Sequence, residues 1–292
     1  MDSVDVQETR SADKLKAEAG SSADETRYFQ GEGQLAAPSF LNTNSKYLNS
    51  PFFREVYAYA GLRRNGPDVS FTYIIPMVAR ALGEVTDFAE FMRLIEEEKA
   101  KKPEFASWLA ERRDTAFRAE DLAGSAAGTL GHTIWEFLTR TGYEIELNMK
   151  GVAPTNDIDY IHKRRGNTHD IEHLVTGFGA NFAGEAALNW SNIASTSKYF
   201  SPKLAHYINF GQSMLVTGQV HQACAHYPAV HSLVMEATQL GIAMGQTLEK
   251  PLLMQPWEDM LDWQMSDVIS HLGITPGPGQ KAWDWSTDAA YG

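Results

Sequence analysis

Cysteine is almost missing from this chain: Cys224 is the single example in 292 residues. One thiol excludes intramolecular disulfides, and the default compartment for such a chain is reducing. Cys224 sits near His221 and His226 in sequence, yet helix packing explains it more simply than a nucleophile does. Long apolar runs are missing as well. The best of them, FTYIIPMVARAL at 71–82, carries Pro76 and Arg80 and falls short of the roughly 20 residues that span a bilayer. Basic charge is scarce. Lys and Arg number 25 against 37 Asp and Glu, a formal net charge of -12, which excludes nucleic acid held by a general basic field. No glycine-rich phosphate loop follows a strand, and no segment repeats. The opening MDSVDVQETRSADKLKAEAGSSADE has neither the apolar centre of a secretory signal nor the acid-poor Arg/Ser character of a transit peptide. The expectation is a cytoplasmic protein without a transmembrane helix.

What is present is helical periodicity. Residues 1–40 lack it and are rich in Ser, Ala, Glu and Gly, which predicts a disordered extension. Residues 41–292 read as one all-α domain, a multi-helix bundle. Phe52, Phe53, Val56, Tyr57 and Tyr59 begin a helix ended by Asn65-Gly66-Pro67. Asp87–Lys101 carries Phe88, Phe91, Met92 and Ile95 at helical spacing, and a hairpin partner over Pro103–Arg113 follows. AAGTLGHTIWEFLTR at 126–140 is helical with Thr129 as N-cap. YEIELNM at 143–149 is the one β-like piece. The pattern then predicts a short helix over Asp157–Arg165, broken at Gly166-Asn167, and a new one from Thr168. Further helices are expected at 181–196, 201–225, 228–248 and 257–272, the middle pair divided at Tyr227-Pro228.

Chemistry concentrates in NTHDIEHLVTGFGANFAGEAALNW at 167–190. His169 and His173 lie four apart, so a helix sets both on one face, able to offer two imidazoles to a divalent ion. Asp170 can add a hard oxygen or hold a ligand histidine. Gly177, Gly179 and Gly184 suit a chain reversal that returns Glu185 to the pair on a facing helix. Two histidines at this spacing also arise by chance, so plain helix packing stands beside the metal reading. HDIEH fits an inverted zinc-peptidase pattern too, with Glu172 as base and Glu236 or Glu249 as third ligand, but that class expects mixed α and β structure. A His-Asp phosphohydrolase would recruit His132 and Asp259, which nothing in the spacing singles out.

The string His169-Asp170-x-x-His173 followed by eleven residues and Glu185 resembles the signature of the Coq4 family of ubiquinone biosynthesis proteins. The flanks agree: AAGTLGHTIWEF, Asp159-Tyr160 with its following basic run, Gly184-Glu185, and WEDMLDWQMSDVISHLGI at 257–274. The likeness covers roughly 45–275. Family members usually carry Arg and an acidic residue just before the HD pair, where this chain has Gly166 and Asn167. The resemblance implies an all-α fold, often a homodimer, with a divalent ion, usually taken as zinc, at His169, Asp170, His173 and Glu185. Two histidines and a carboxylate also suit Fe(II). It further implies a prenylated aromatic or isoprenoid lipid as ligand, other ubiquinone-biosynthesis proteins as partners, and peripheral contact with the inner membrane. The implied activity is oxidative removal of the C1 carboxylate of a polyprenylated hydroxybenzoate, leaving a hydroxyl; the other implied role is a scaffold that presents such lipids.

Such a substrate needs a cationic partner. In the run His162, Lys163, Arg164, Arg165 either arginine is a candidate for holding its carboxylate bidentately, with solvated surface charge as the plainer reading. Tyr160 is a hydrogen-bond donor candidate, though packing suits it better. The small residues of GTLGHTIWEFL and GFGANFAGEAAL allow either a groove for the tail or close helix contact. His221, His226 and His231, spaced by five, share no helix face and make no second metal site. His132, His206 and His271 read as structural.

Overall fold

The computed structural model describes residues 44–64, 74–145 and 149–291. The expectation for residues 1–40 lies outside them. The helices in chain order are α1 Lys46–Asn49, α2 Pro51–Leu62, α3 Ile75–Val85, α4 Phe88–Lys101, α5 Pro103–Glu111, α6 Ala119–Leu122 and α7 Leu130–Thr141. They continue with α8 Asp157–Thr176, α9 Phe182–Tyr199, α10 Pro202–His226, α11 Pro228–Thr247, α12 Met265–Leu272 and α13 Asp284–Tyr291, with 3-10 turns at Leu252–Met254 and Trp257–Met260. Among the described residues there is no β-strand, only isolated bridges Thr129–Gln264 and Phe178–Gly279, so the fold is all-α. Residues 143–145 of the β-like piece are not strand, and 146–148 lie outside the described residues. All of these helices belong to one compact unit, Lys46–Gly292.

Local chemistry sets the boundaries. Asp87 caps α4 by accepting from the Glu90 N–H at 2.9 Å, and Thr129 caps α7 by accepting from His132 N–H at 3.2 Å. Pro228, at the first turn of α11, separates it from α10. The helix expected over 257–272 is instead a 3-10 turn followed by α12. The backbone between them pairs with the start of α7: Leu130 N–H donates to Trp263 O at 2.9 Å and Gly131 N–H to Leu261 O at 2.8 Å.

The expected break at Gly166-Asn167 is absent, and α8 runs unbroken through it. A mid-helix glycine costs about 1 kcal/mol relative to alanine. Against that, Ile158, Tyr160 and Ile161 sink into one apolar cluster with Phe91, Phe105 and Trp108, while Ile171 and Val175 sink into another around Trp257 and Leu188. Each large apolar side chain fully buried contributes roughly 1.5–3 kcal/mol, so the packing at both ends outweighs the glycine.

α9 packs most extensively on α11. Gly241 makes this possible: a Cβ there would lie 2.1 Å from the Ala187 carbonyl oxygen. α10 crosses all three apolar clusters, with Leu204 and Ile208 in one, Met214 in the next and Ala223 in the third. These helices hold α8 and α9 side by side, and the polar residues between them form the site.

Candidate metal centre

α8 ends at Gly177, whose φ of +72° is the left-handed C-cap that glycine adopts without strain. The remaining carbonyls at that end find partners in the C-terminal segment: Gly277 N–H donates to Thr176 O at 2.7 Å and Gln280 Nε2–H to His173 O at 2.6 Å. Asn181 then caps α9 by accepting from Gly184 N–H at 2.9 Å. A Cβ on Gly184 would fall 1.8 Å from the Gly179 carbonyl oxygen, so the reversal is tight. Glycines of this segment serve close backbone approach. The reversal places Glu185 in the first turn of α9, facing His169 and His173.

The three side chains converge. His169 Nε2 and Glu185 Oε2 are 3.2 Å apart, His173 Nε2 and Glu185 Oε1 are 3.2 Å apart, and the two Nε2 atoms are 3.2 Å apart. Ligand atoms about 2.0–2.1 Å from a tetrahedral ion are separated by about 3.3 Å, so the donor set has the spacing a small divalent cation requires. The two imidazole planes stand at 84°, which lets both nitrogens converge without stacking. His173 Nδ1 lies 2.7 Å from the Phe178 carbonyl, which can only accept. Nδ1 therefore carries a hydrogen that it donates to this carbonyl, and the ring turns Nε2 toward the cluster, the orientation that metal-ligating histidines adopt. Side-chain exposure is 2% for His173 but 26% for His169 and 21% for Glu185, so the cluster is open on one side.

Asp170, the fourth residue expected here, does not join the cluster. One residue along a helix is a turn of about 100°, which carries its carboxylate away from the direction of His169. Its charge still acts there: burial lowers the His169 pKa, but Glu185 first, then Asp170 and Glu172, raise it to about 9. Burial pushes the Asp170 carboxyl up, against the pull of His169 and His173. Burial also pushes Glu185 up, yet the two histidines outweigh it and hold it well below the usual range.

The accessible surface of α8 is confined to one stripe, from Asp159 through His162, Arg165, Gly166, His169 and Asp170 to Leu174, and the rest of the helix is buried. Arg164 and Arg165 are adjacent but differ in surroundings. Arg164 is buried and fully engaged: it meets Glu258 Oε1 at 2.5 Å and Oε2 at 3.0 Å, and also the carbonyls of Leu253, Gln255 and Arg113. The Arg165 guanidinium is also buried, but its nitrogens have no hydrogen-bond partner among the described residues. Burial lowers its pKa to about 10 against the opposing charge of Glu172. Tyr160 packs in the apolar interior, its ring 4.9 Å from that of Trp108.

The rival constellations do not form. Glu172 is fully buried, accepting from Thr168 Oγ1–H at 2.8 Å and Asn192 Nδ2–H at 2.7 Å, and it is not a member of the cluster. Glu236 and Glu249 are exposed, Asp259 pairs with Arg113 at 2.7 Å, and His132 lies beside Glu136 at 3.6 Å. Among the described residues no other group of His, Cys, Asp and Glu has metal-ligand spacing. Sequence reasoning passed over the buried amides Asn189, Asn192 and Gln212. Asn189 and Asn192 fall four and seven residues after Glu185, and that helical spacing was the available signal.

The family described as "Coenzyme Q (ubiquinone) biosynthesis protein Coq4" matches residues 75–278. Curated relatives include the mitochondrial ubiquinone biosynthesis protein COQ4 of Lachancea thermotolerans, 24% identical over 69% of this chain and 58% of its own length, and that of Lodderomyces elongisporus, 22% identical over 68% and 51%. The Danio rerio homolog is 30% identical over 41% of this chain and 45% of its own length. The chain thus spans about half the length of the curated relatives it matches. Its fold is similar to a crystal structure of a candidate ubiquinone biosynthesis protein from Nostoc punctiforme, with TM-score 0.56 at 24% identity, covering 76% of this chain and 94% of that one.

Proposed function

The chain belongs to the Coq4 family, and from that premise we propose that it removes the C1 carboxylate of a polyprenylated hydroxybenzoate oxidatively, leaving a hydroxyl. The observation that carries this reading is the triad of His169 and His173 from α8 with Glu185 from α9, with three ligand-atom separations of 3.2 Å. His169, His173 and Glu185 would hold one divalent ion, zinc first and Fe(II) second, with Asp170 beside them. When bound, such an ion supplies Lewis-acid polarisation of a carboxylate or phenolate oxygen, and Fe(II) would add redox capacity.

The protein's own groups do the rest. The Phe178 carbonyl orients the His173 ring through Nδ1, and Glu185 offers one oxygen to each imidazole. Of the two arginines, Arg164 is committed to Glu258, so the substrate carboxylate is assigned to Arg165, one turn before His169, whose donors are unused. Releasing the carboxylate as carbon dioxide and placing a hydroxyl on the same carbon is a two-electron oxidation, so the reaction draws on an external oxidant, with the new oxygen supplied by water or dioxygen. No helix among the described residues is long and apolar enough to cross a membrane. The lipid ligand, contact with other ubiquinone-biosynthesis proteins, a homodimer and a peripheral position at the inner membrane belong to the same proposal. The names of the curated relatives place those proteins in mitochondria.

The test is to supply metal-loaded protein with a prenylated hydroxybenzoate and an oxidant, monitoring carbon dioxide and the hydroxylated product. Turnover by the wild type and none by Glu185→Ala supports the enzyme. Equal lipid binding by both proteins, with no product from either, supports the other reading, a scaffold that presents prenylated intermediates.

A further inference from the structure

Two asparagines on α9 each donate toward a carboxylate, one of them fully buried and the other part-exposed in the triad. Asn192 Nδ2 meets Glu172 at 2.7 Å, away from the triad. Asn189 Nδ2 donates to the Glu185 carbonyl at 2.8 Å and reaches Glu185 Oε2 at 3.4 Å, the oxygen that also faces His169. Asn189 is held in turn from a third helix, since Gln212 Nε2 on α10 donates to its Oδ1 at 3.0 Å. Both amides are buried, so neither bond competes freely with water.

Resting on the proposal that the triad holds a metal, we infer that Asn189 and Gln212 are positioning residues for Glu185, setting the plane in which its carboxylate meets the ion. The terminal torsion of a glutamate is soft and broad, so the covalent chain alone does not fix which oxygen faces which histidine. A donor on one oxygen removes that freedom. The Asn189 amide is itself prevented from turning by Gln212, which delivers a donor to its oxygen and leaves its nitrogen for Glu185. Three helices thereby define the site: α8 gives the imidazoles, α9 the carboxylate and α10 the buttress. Outer partners of this kind change metal affinity by about 10- to 100-fold when removed.

A structural role alone would lower stability and leave affinity untouched, and Asn192→Ala is the matched control. Cobalt(II) serves as the probe, because its visible spectrum reports ligand geometry as well as binding. Asn189→Ala and Gln212→Met in the full chain are expected to weaken cobalt binding by about tenfold or more and to alter the visible bands. Asn192→Ala should stay within about twofold of wild type on the same scale. Gln212→Met keeps the side-chain volume, so it carries the test if Asn189→Ala fails to fold. Wild-type affinity and spectrum in both variants would overturn the inference and leave the metal reading standing, as would an equal loss in Asn192→Ala. Wild-type protein that binds no cobalt would sink the metal reading and this inference with it.

Discussion

Replacing Arg164 by methionine separates the two adjacent arginines by experiment. Arg164 is 1% exposed and Glu258 17%, and the pair is bidentate at 2.5 and 3.0 Å. Removing one partner of such a buried pair leaves an uncompensated charge and costs roughly 3–5 kcal/mol. For a folded unit of this size that corresponds to a fall in Tm of roughly 6–20 °C, at about 2–4 °C per kcal/mol. Urea or thermal unfolding at pH 7 measures it. The double variant Arg164→Met/Glu258→Met should regain most of the loss, because apolar replacement of both partners is neutral or favourable. The loss also depends on pH. Burial alone raises the Glu258 carboxyl, but the hydrogen bonds and charge of Arg164 outweigh it and hold it below the ordinary range. A depressed folded pKa contributes stability above the unfolded value of about 4.3, and that stability disappears as pH falls through the folded value. Wild type and variant should therefore converge in acid. A variant that keeps wild-type stability at pH 7 while losing affinity for 4-hydroxybenzoate would refute the reasoning and make Arg164 the substrate's partner.

The packing supports further expectations. Gly241→Val should destabilise by at least about 1–3 kcal/mol, since any Cβ there meets the Ala187 carbonyl oxygen; unchanged urea unfolding would contradict the close α9–α11 contact. Thr129→Ala should cost about 1 kcal/mol through the lost cap of α7, visible as a small fall in Tm. Chelation should leave the far-ultraviolet circular dichroism unchanged, because α8 and α9 are held by their asparagine N-caps and by apolar packing rather than by the triad; melting of α8 and α9 would mark a structural metal instead.

The spacing of His169 and His173 and the glycines that return Glu185 were legible in the sequence because helix geometry and chain reversal are local properties. The continuity of α8 was not. Gly166 reads as a break until the packing of Ile158, Ile161, Ile171 and Val175 on either side is known, and those contacts are made with residues distant in the chain. Nor does the sequence tell Arg164 from Arg165: adjacent helical residues diverge by about 100°, and Glu258, which engages one of them, lies on a remote 3-10 turn. Asn189 and Gln212 carry no motif; they matter because three helices meet at one carboxylate.

Elemental analysis of the purified full chain tests the central claim most directly, with His169→Ala and Glu185→Ala alongside. The expected result is about one divalent ion per chain in the wild type, lost in both variants, and its identity chooses between Lewis-acid and redox chemistry. No stoichiometric metal in the wild type, or an equal content in the variants, would contradict the metal centre.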